Sequence, residues 1–323
     1  MRLEIGSFIG LDLRDSGEYY SGNINIARLN SARAGIFHAC KLYGCNSIYI
    51  PYYLCPTVKR FLLKNGIEVK SYYINERFEP LNLKQEEGHA VLLVNYFGLL
   101  SVSKIRMLGS QFKNVIVDNS AAFFCDPVEG YYNVYSPRKF FGVPDGCYVI
   151  GNNADKHTDD YKQDISSVTA SFLLKTIEFG TSSTYNERIE NEERIDKSDL
   201  LNMSVLTRVL LKNIDYSGIK RKRKENFFFA HTLYKNLNLF DPSQFMDAEC
   251  APMVYPLVVE DLGLAENLRK KKIFVGRLWK DVLSEVSDYT FEAKLSKYLI
   301  PIPIDQRYGK KELLFVYKTI RGK

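Results

Sequence analysis

A chain of 323 residues, 46% of them hydrophobic, can bury a large domain plus a smaller one and is too apolar for wholesale disorder. Its net charge of +6 comes largely from two runs, Lys220–Lys224 and Arg269–Lys272. Both lie beside helix-like segments without a recognition motif, so they read as solvated faces and not as a nucleic-acid or membrane stripe.

No run approaches the ~20 apolar residues a spanning helix needs. Glu4 and Asp12 interrupt the N-terminus where a signal peptide would be apolar, so a cytoplasmic protein without membrane insertion is expected. Cys40, Cys45, Cys55, Cys125, Cys147 and Cys250 follow no zinc-like spacing, and His38, His89, His157 and His231 are scattered. No metal site is expected, and the cysteines read as reduced thiols. The 22 Tyr and 20 Phe are assigned mainly to core packing.

Residues 1–28, broken by Ser16–Gly17 and Ser21–Gly22, read as an arm or irregular entry segment. Asn30 or Ser31 can then cap a helix whose apolar positions Ile36, Cys40 and Tyr43 recur at helical spacing up to Gly44. A strand follows at Ser47–Ile50, stopped by Pro51. Next come a helix from about Pro56 with Gly66 at its end, a strand over 68–74, and a polar stretch over 75–88. Val91–Val94 is a buried strand, followed by the loop Asn95–Gly98, and Ser101–Gly109 reads as a helix. Helix and strand alternate at a spacing that suits βαβ units, which is an α/β fold.

The stretch 114–150 concentrates the chemistry. Val115–Val117 stops at Asp118, Ser136 and Lys139 share a later turn, and Cys147–Ile150 is a second short apolar run. Runs of this length bounded by turn residues read as buried parallel strands. Open α/β sheets place ligands at their strand ends, so an acid there and a lysine in a nearby loop form a candidate site. Such a lysine can form a Schiff base with an aldehyde cofactor, and such an acid can pair with a protonated pyridine nitrogen. Taken singly, Lys139 is also compatible with plain surface charge, Asp118 with a strand exit, and Ser31 with a simple helix cap.

Beyond Ile150, Val168, Phe172, Leu173 and Ile177 predict a helix, and residues 186–199 read as a charged loop or exposed helix end. Two helical stretches, 204–214 and 219–237, meet around Asp215–Gly218, and the domain boundary is drawn at 212/213: residues 1–212 large, 213–323 small. The small domain is read as a strand over 253–259, a turn at Asp261–Gly263, a helix over 266–272, a strand over 273–277, and a strand–loop–helix finish over 298–320.

These pieces, in this order, resemble the DegT/DnrJ/EryC1/StrS family of pyridoxal-phosphate aminotransferases, as a divergent member. The ending Pro301–Ile304, Asp305–Tyr308 and Lys311–Ile320 matches that family's layout, as does the phrase at 203–211. The resemblance implies an aspartate-aminotransferase-like large domain (pyridoxal-phosphate fold type I) with a mostly parallel central sheet, plus a small C-terminal α/β domain. It also implies a homodimer with sites at the subunit interface and pyridoxal 5'-phosphate as cofactor.

By the same resemblance Lys139 anchors the cofactor and moves the proton, and Asp118 holds the pyridine nitrogen protonated. Ser31, Ala32 and Ser136 take the phosphate; Tyr53 is chosen among Tyr52, Tyr53, Tyr96 and Phe97 to stack on the ring, with Cys55 nearest the family's stacking position; and Ser120, Asn119 or nothing takes the contact to the ring oxygen. Ala121 stands where the family has His or Gln, Leu200 where it has Asn, and Asn202 where it has Arg. The implied activity is amino transfer from an amino acid such as glutamate to an anionic, nucleotide-linked keto-sugar. A fold-preserving but inactive binding protein, or a dehydratase- or racemase-like activity on the same scaffold, are the alternatives.

Overall fold

The computed structural model describes residues 5, 6, 8–23, 25–245 and 251–322; Glu4 and Cys250 lie outside them. Strand β1 (Ile26–Leu29) leads into helix α1 (Ala32–Tyr43), then β2 (Ser47–Pro51), α2 (Pro56–Lys64), β3 (Glu68–Ile74) and the two-residue β4 (Pro80–Leu81). They are followed by β5 (Ala90–Val94), α3 (Val102–Gly109), β6 (Val115–Asp118), β7 (Tyr132–Tyr135) and β8 (Cys147–Ile150). These eight strands form one sheet in the order β1-β8-β7-β6-β5-β2-β3-β4. Strands β7, β6, β5, β2 and β3 run parallel, as expected for a mostly parallel sheet with buried apolar strands.

The edges differ from the sequence reading. Strand β8 was expected to be parallel; it runs antiparallel to both β7 and β1. Only residues 136–146 join β7 to β8, fewer than the dozen or more that a parallel crossover needs. Residues 26–28, expected to be irregular, belong to β1, whose charged Arg28 is held by Glu18 at 2.6 Å. Strands β4 and β7 were not foreseen either.

Helix α1 begins as its sequence suggests. Ser31 accepts a hydrogen bond from the Ala34 amide, and Gly44, at φ 67°, closes the other end in the left-handed region. The helix then packs across β8, β7 and β6. Gly35 allows the approach: a Cβ there would lie 2.7 Å from Cys147 Sγ and 3.0 Å from both Val134 and Val149 side chains.

After β8 come α4 (Ser171–Ser183) and α5 (Tyr185–Lys197). Residues 186–199 were read as a loop or helix end, and the structure corrects this to an almost complete helix. It buries only Asn191 and Ile195 and is supported along its polar sides by ion pairs such as Lys197–Glu193 at 3.2 Å. Helix α4 buries none of its residues, and Leu174, Ile177 and Phe179 are exposed.

Helices α6 (Val205–Leu211) and α7 (Tyr216–Tyr234) lead to a two-stranded antiparallel sheet of β9 (Val254–Val258) and β10 (Leu299–Pro303). Helices α8 (Leu264–Lys270), α9 (Phe291–Tyr298) and α10 (Lys310–Arg321) complete this α/β unit. The strand expected at 273–277 is absent, because the chain turns back there: the Ile273 amide closes α8 on Leu268, and the Val275 amide bonds Ile273. Hydrophobic packing is continuous from the large sheet to the small one, with Leu29, Val117, Leu257 and Ile300 in one cluster. A second, aromatic cluster of Tyr20, Phe123, Tyr135, Phe140, Phe141 and Tyr148 lies under the turn that carries Lys139. Among the described residues no helix is long and apolar enough to cross a membrane.

Candidate active site

From β2 the chain proceeds to β3 on one side, and from β5 it proceeds to β6 and β7 on the other. The strand order therefore reverses between β2 and β5, which leaves a crevice at the carboxyl ends of the strands. A cavity of about 250 Å³ opens there. Its walls are Leu54 and Cys55 beyond β2, Tyr96 and Phe97 beyond β5, Asp118 and Ser120 at the end of β6, and Ser136 and Lys139 beyond β7. The first residues of α1 (Ser31, Ala32 and Arg33), the acids Glu192 and Asp196 of α5, and Met253 and Trp279 close the remaining sides.

Six of the seven residues proposed from sequence thus meet at one cavity. Asp118 is buried, and its Oδ1 accepts the Ser120 amide at 2.9 Å. Among the described residues no cation lies within ion-pair distance of it. Ser120 Oγ lines the cavity, is buried and has no partner. Asn119, the other residue considered for that position, is turned away: its Oδ1 accepts from Asn95 Nδ2 at 3.1 Å, and it does not line the cavity. Ser136 is buried at the end of β7, while Lys139 ends the 3-10 turn Pro137–Lys139.

Lys139 is exposed, between the buried Pro137 and the buried Phe140. One detail of the sequence reading is corrected. Tyr53 does not reach the cavity. It is fully buried behind Trp279, whose ring meets it edge-on at 4.6 Å, and burial pushes its phenol up. Cys55 and Tyr96 form the wall on that side, and the Tyr96 hydroxyl donates to the Tyr53 carbonyl at 2.7 Å.

The sequence reading missed Arg33, Glu192 and Asp196 at the rim. Arg33 pairs with Asp196 at 2.6 Å and Arg138 with Glu192 at 2.6 Å. Burial alone would raise the Glu192 carboxyl, yet Arg138, with Arg188 and Arg33, holds it below the ordinary value. The two arginines and two acids cancel, leaving Asp118 and Lys139 as opposite charges with no protein ion-pair partner among the described residues. The spacing of Glu192 and Asp196, four apart on one helical face, was the available signal, and reading the segment as a loop concealed it. Arg33 keeps two buried nitrogens, Nε and Nη2, without partners.

Asp145 of the Asp145–Gly146 pair lies elsewhere. It accepts the Ser204 amide and hydroxyl, each at 2.8 Å, and the Thr207 hydroxyl, so it ties the β7–β8 connection to α6; burial raises its carboxyl. Among the described residues no cluster of three His, Cys, Asp or Glu side chains is arranged to hold a metal.

No protein-family model matches the chain, and no curated protein matches it. Solved structures do. A DegT DnrJ EryC1 StrS aminotransferase from Brucella abortus is 14% identical, covers 94% of this chain and 87% of its own, and superposes with a TM-score of 0.62. Helicobacter pylori PseC, an aminotransferase involved in the biosynthesis of pseudoaminic acid, is 14% identical over 93% of this chain and 87% of its own, TM-score 0.64. Spr1654 from Streptococcus pneumoniae in its PLP form is 12% identical over 94% and 88%, TM-score 0.61. At these identities the likeness is one of fold, and it spans both α/β units.

Proposed function

We propose that this protein is a pyridoxal-phosphate-dependent aminotransferase acting on a keto-sugar, nucleotide-linked, with an amino-acid donor. The observation that carries the reading is the meeting, in one crevice at the strand ends, of Asp118 and Lys139 without protein ion-pair partners. Fold likeness to the sugar aminotransferase Spr1654 supports the substrate class.

The residues present fit the cofactor. The free end of α1, with the Ser31 hydroxyl and the Ala32 amide, joins Ser136 and the cation Arg33 as a set of donors for a phosphate. Ser120 Oγ, buried and unpartnered, is available to a ring oxygen. When bound, pyridoxal phosphate supplies an aldehyde for a lysine and a ring that draws electrons from the carbon losing its proton. Asp118, held by the Ser120 amide, supplies the negative charge for the ring nitrogen. Lys139 Nζ would hold that aldehyde and, as general base and acid, would take a proton from the donor's carbon and return it.

In the same reading the protein is cytoplasmic and a homodimer. The five described cysteines are free, which suits a reducing compartment. The exposed apolar side chains of α4 are candidates for the subunit contact. Sedimentation should give twice the chain mass, and replacing Ile177 with Glu should shift it toward monomer; a wild-type monomer would remove this part.

A second reading, a non-catalytic relative acting in binding or assembly, is favoured by one set of observations. Ala121 offers no polar contact, Leu200 lies where the family's Asn would, and the Asn202 amide is engaged with the Thr158 and Tyr161 carbonyls at 2.9 Å. Incubation with pyridoxal phosphate, borohydride reduction and peptide mapping separate the two. A new visible band with the reduced adduct on Lys139, lost in Lys139→Ala, is expected. No band, or adducts scattered over surface lysines, would sink the enzyme reading.

A further inference from the structure

Arg223, on α7, is sealed in the protein at 2% exposure. Among the described residues no carboxylate is within ion-pair distance of it, since the neighbouring Asp305 is held by Arg307 at 2.8 Å. Burial pulls its guanidinium down to about 10, so it remains a cation at neutral pH. An apolar side chain of similar volume would fill such a place without the desolvation penalty of a buried charge.

Its partners show what the charge holds. The guanidinium lies 4.5 Å from the centroid of the Phe140 ring, and Phe140 directly follows Lys139. Arg223 Nε donates to Gln306 Oε1 at 3.1 Å, and Gln306 Nε2 donates to the Phe140 carbonyl at 2.8 Å. On the other side Arg223 Nη1 donates to the Met253 carbonyl at 3.0 Å. Met253 lines the cavity, and its amide donates to the carbonyl of Phe97, another wall residue. One planar group therefore spans the turn carrying Lys139 and the entry of the chain into β9.

We propose that Arg223 is a positioning residue for Lys139: it clamps the Phe140 ring and, through Gln306, the Phe140 carbonyl, and so fixes how the lysine enters the crevice. The inference rests on Lys139 being the cofactor anchor. Lysine cannot replace the clamp, because a point ammonium cannot sit over the ring while donating in two set directions to Gln306 and Met253.

The test uses the full chain, wild type against Arg223→Met and Arg223→Lys, each shown to be folded by its melting curve. Amide hydrogen exchange of residues 136–143 without cofactor reports the clamp. Titration with pyridoxal phosphate, borohydride trapping and mapping then report the selectivity for Lys139 over surface lysines and the pH dependence of the visible band. Both variants should exchange faster, lose selectivity about 10–100-fold and show a shifted pH profile, in keeping with the cost of small misplacements at a reacting group.

Faster exchange with unchanged selectivity and pH profile would reduce Arg223 to a structural role and overturn the proposal alone. Absence of a selective adduct in wild-type protein would instead sink the enzyme reading, and this inference with it. If the Arg223 variants do not fold, Gln306→Ala cuts only the link to the Phe140 carbonyl and is judged by the same readouts.

Discussion

Glu292 sits fully buried on α9, where its Oε1 accepts the Ile74 amide at 2.6 Å and its Oε2 has no partner. Burial raises its carboxyl above the ordinary value, so the folded protein holds this proton where the unfolded chain has released it. The sign follows: Glu292 takes stability away as pH rises from the unfolded value through the folded one, and the loss levels off above it. Glu292→Gln keeps the acceptor and removes the charge. Its melting temperature should gain on wild type as pH rises above the ordinary carboxylate value, and a difference independent of pH would contradict this account. At this scale Asp118, Ser136 and Lys139 were legible because each stands at a strand end or turn, visible in local sequence. The Arg33–Asp196 pair was not: its members are 163 residues apart, and only tertiary folding brings them together. Tyr53 failed for a related reason, since the Trp279 ring that screens it arrives from the far end of the chain.

Among the elements, α1 packs across β8, β7 and β6 with Gly35 against the sheet. Alanine at position 35 would gain about 1 kcal/mol of helix propensity, while overpacking costs about 1–3 kcal/mol. The groups it would strike, on Cys147, Val134 and Val149, are anchored on buried strands, so the clash outweighs the gain. Gly35→Ala should lower the urea midpoint by the equivalent of about 1 kcal/mol; an unchanged or higher midpoint would show that the helix can lift away cheaply. Elements with clean apolar periodicity or caps, such as α1, β3 and β5, were readable from sequence. Those whose polar residues are satisfied from a distance were not. Arg28 breaks the apolar run of β1 but is neutralised by Glu18, and Asn133 breaks β7 but bonds the Val128 and Tyr131 carbonyls at 3.0 Å. Helix α5 lacks an apolar face because ion pairs and the cavity rim take most of its side chains.

For the whole molecule, the crevice belongs to both parts of the chain. The large sheet supplies Asp118 and Lys139, while residues beyond the proposed 212/213 division supply Met253 and Trp279 and hold the lysine turn through Gln306. The outer edge of the sheet has a consequence for biosynthesis. The ladder of strand β1 is with β8, and Ile26 meets Ile150, so a nascent chain shorter than 150 residues holds one half of that ladder without the other. At ~5–20 residues per second the ribosome takes roughly 6–25 s to travel from one partner to the other. During that interval α1 has emerged but lacks the two strands against which Gly35 packs, so its apolar side must be shielded by something other than its final neighbours.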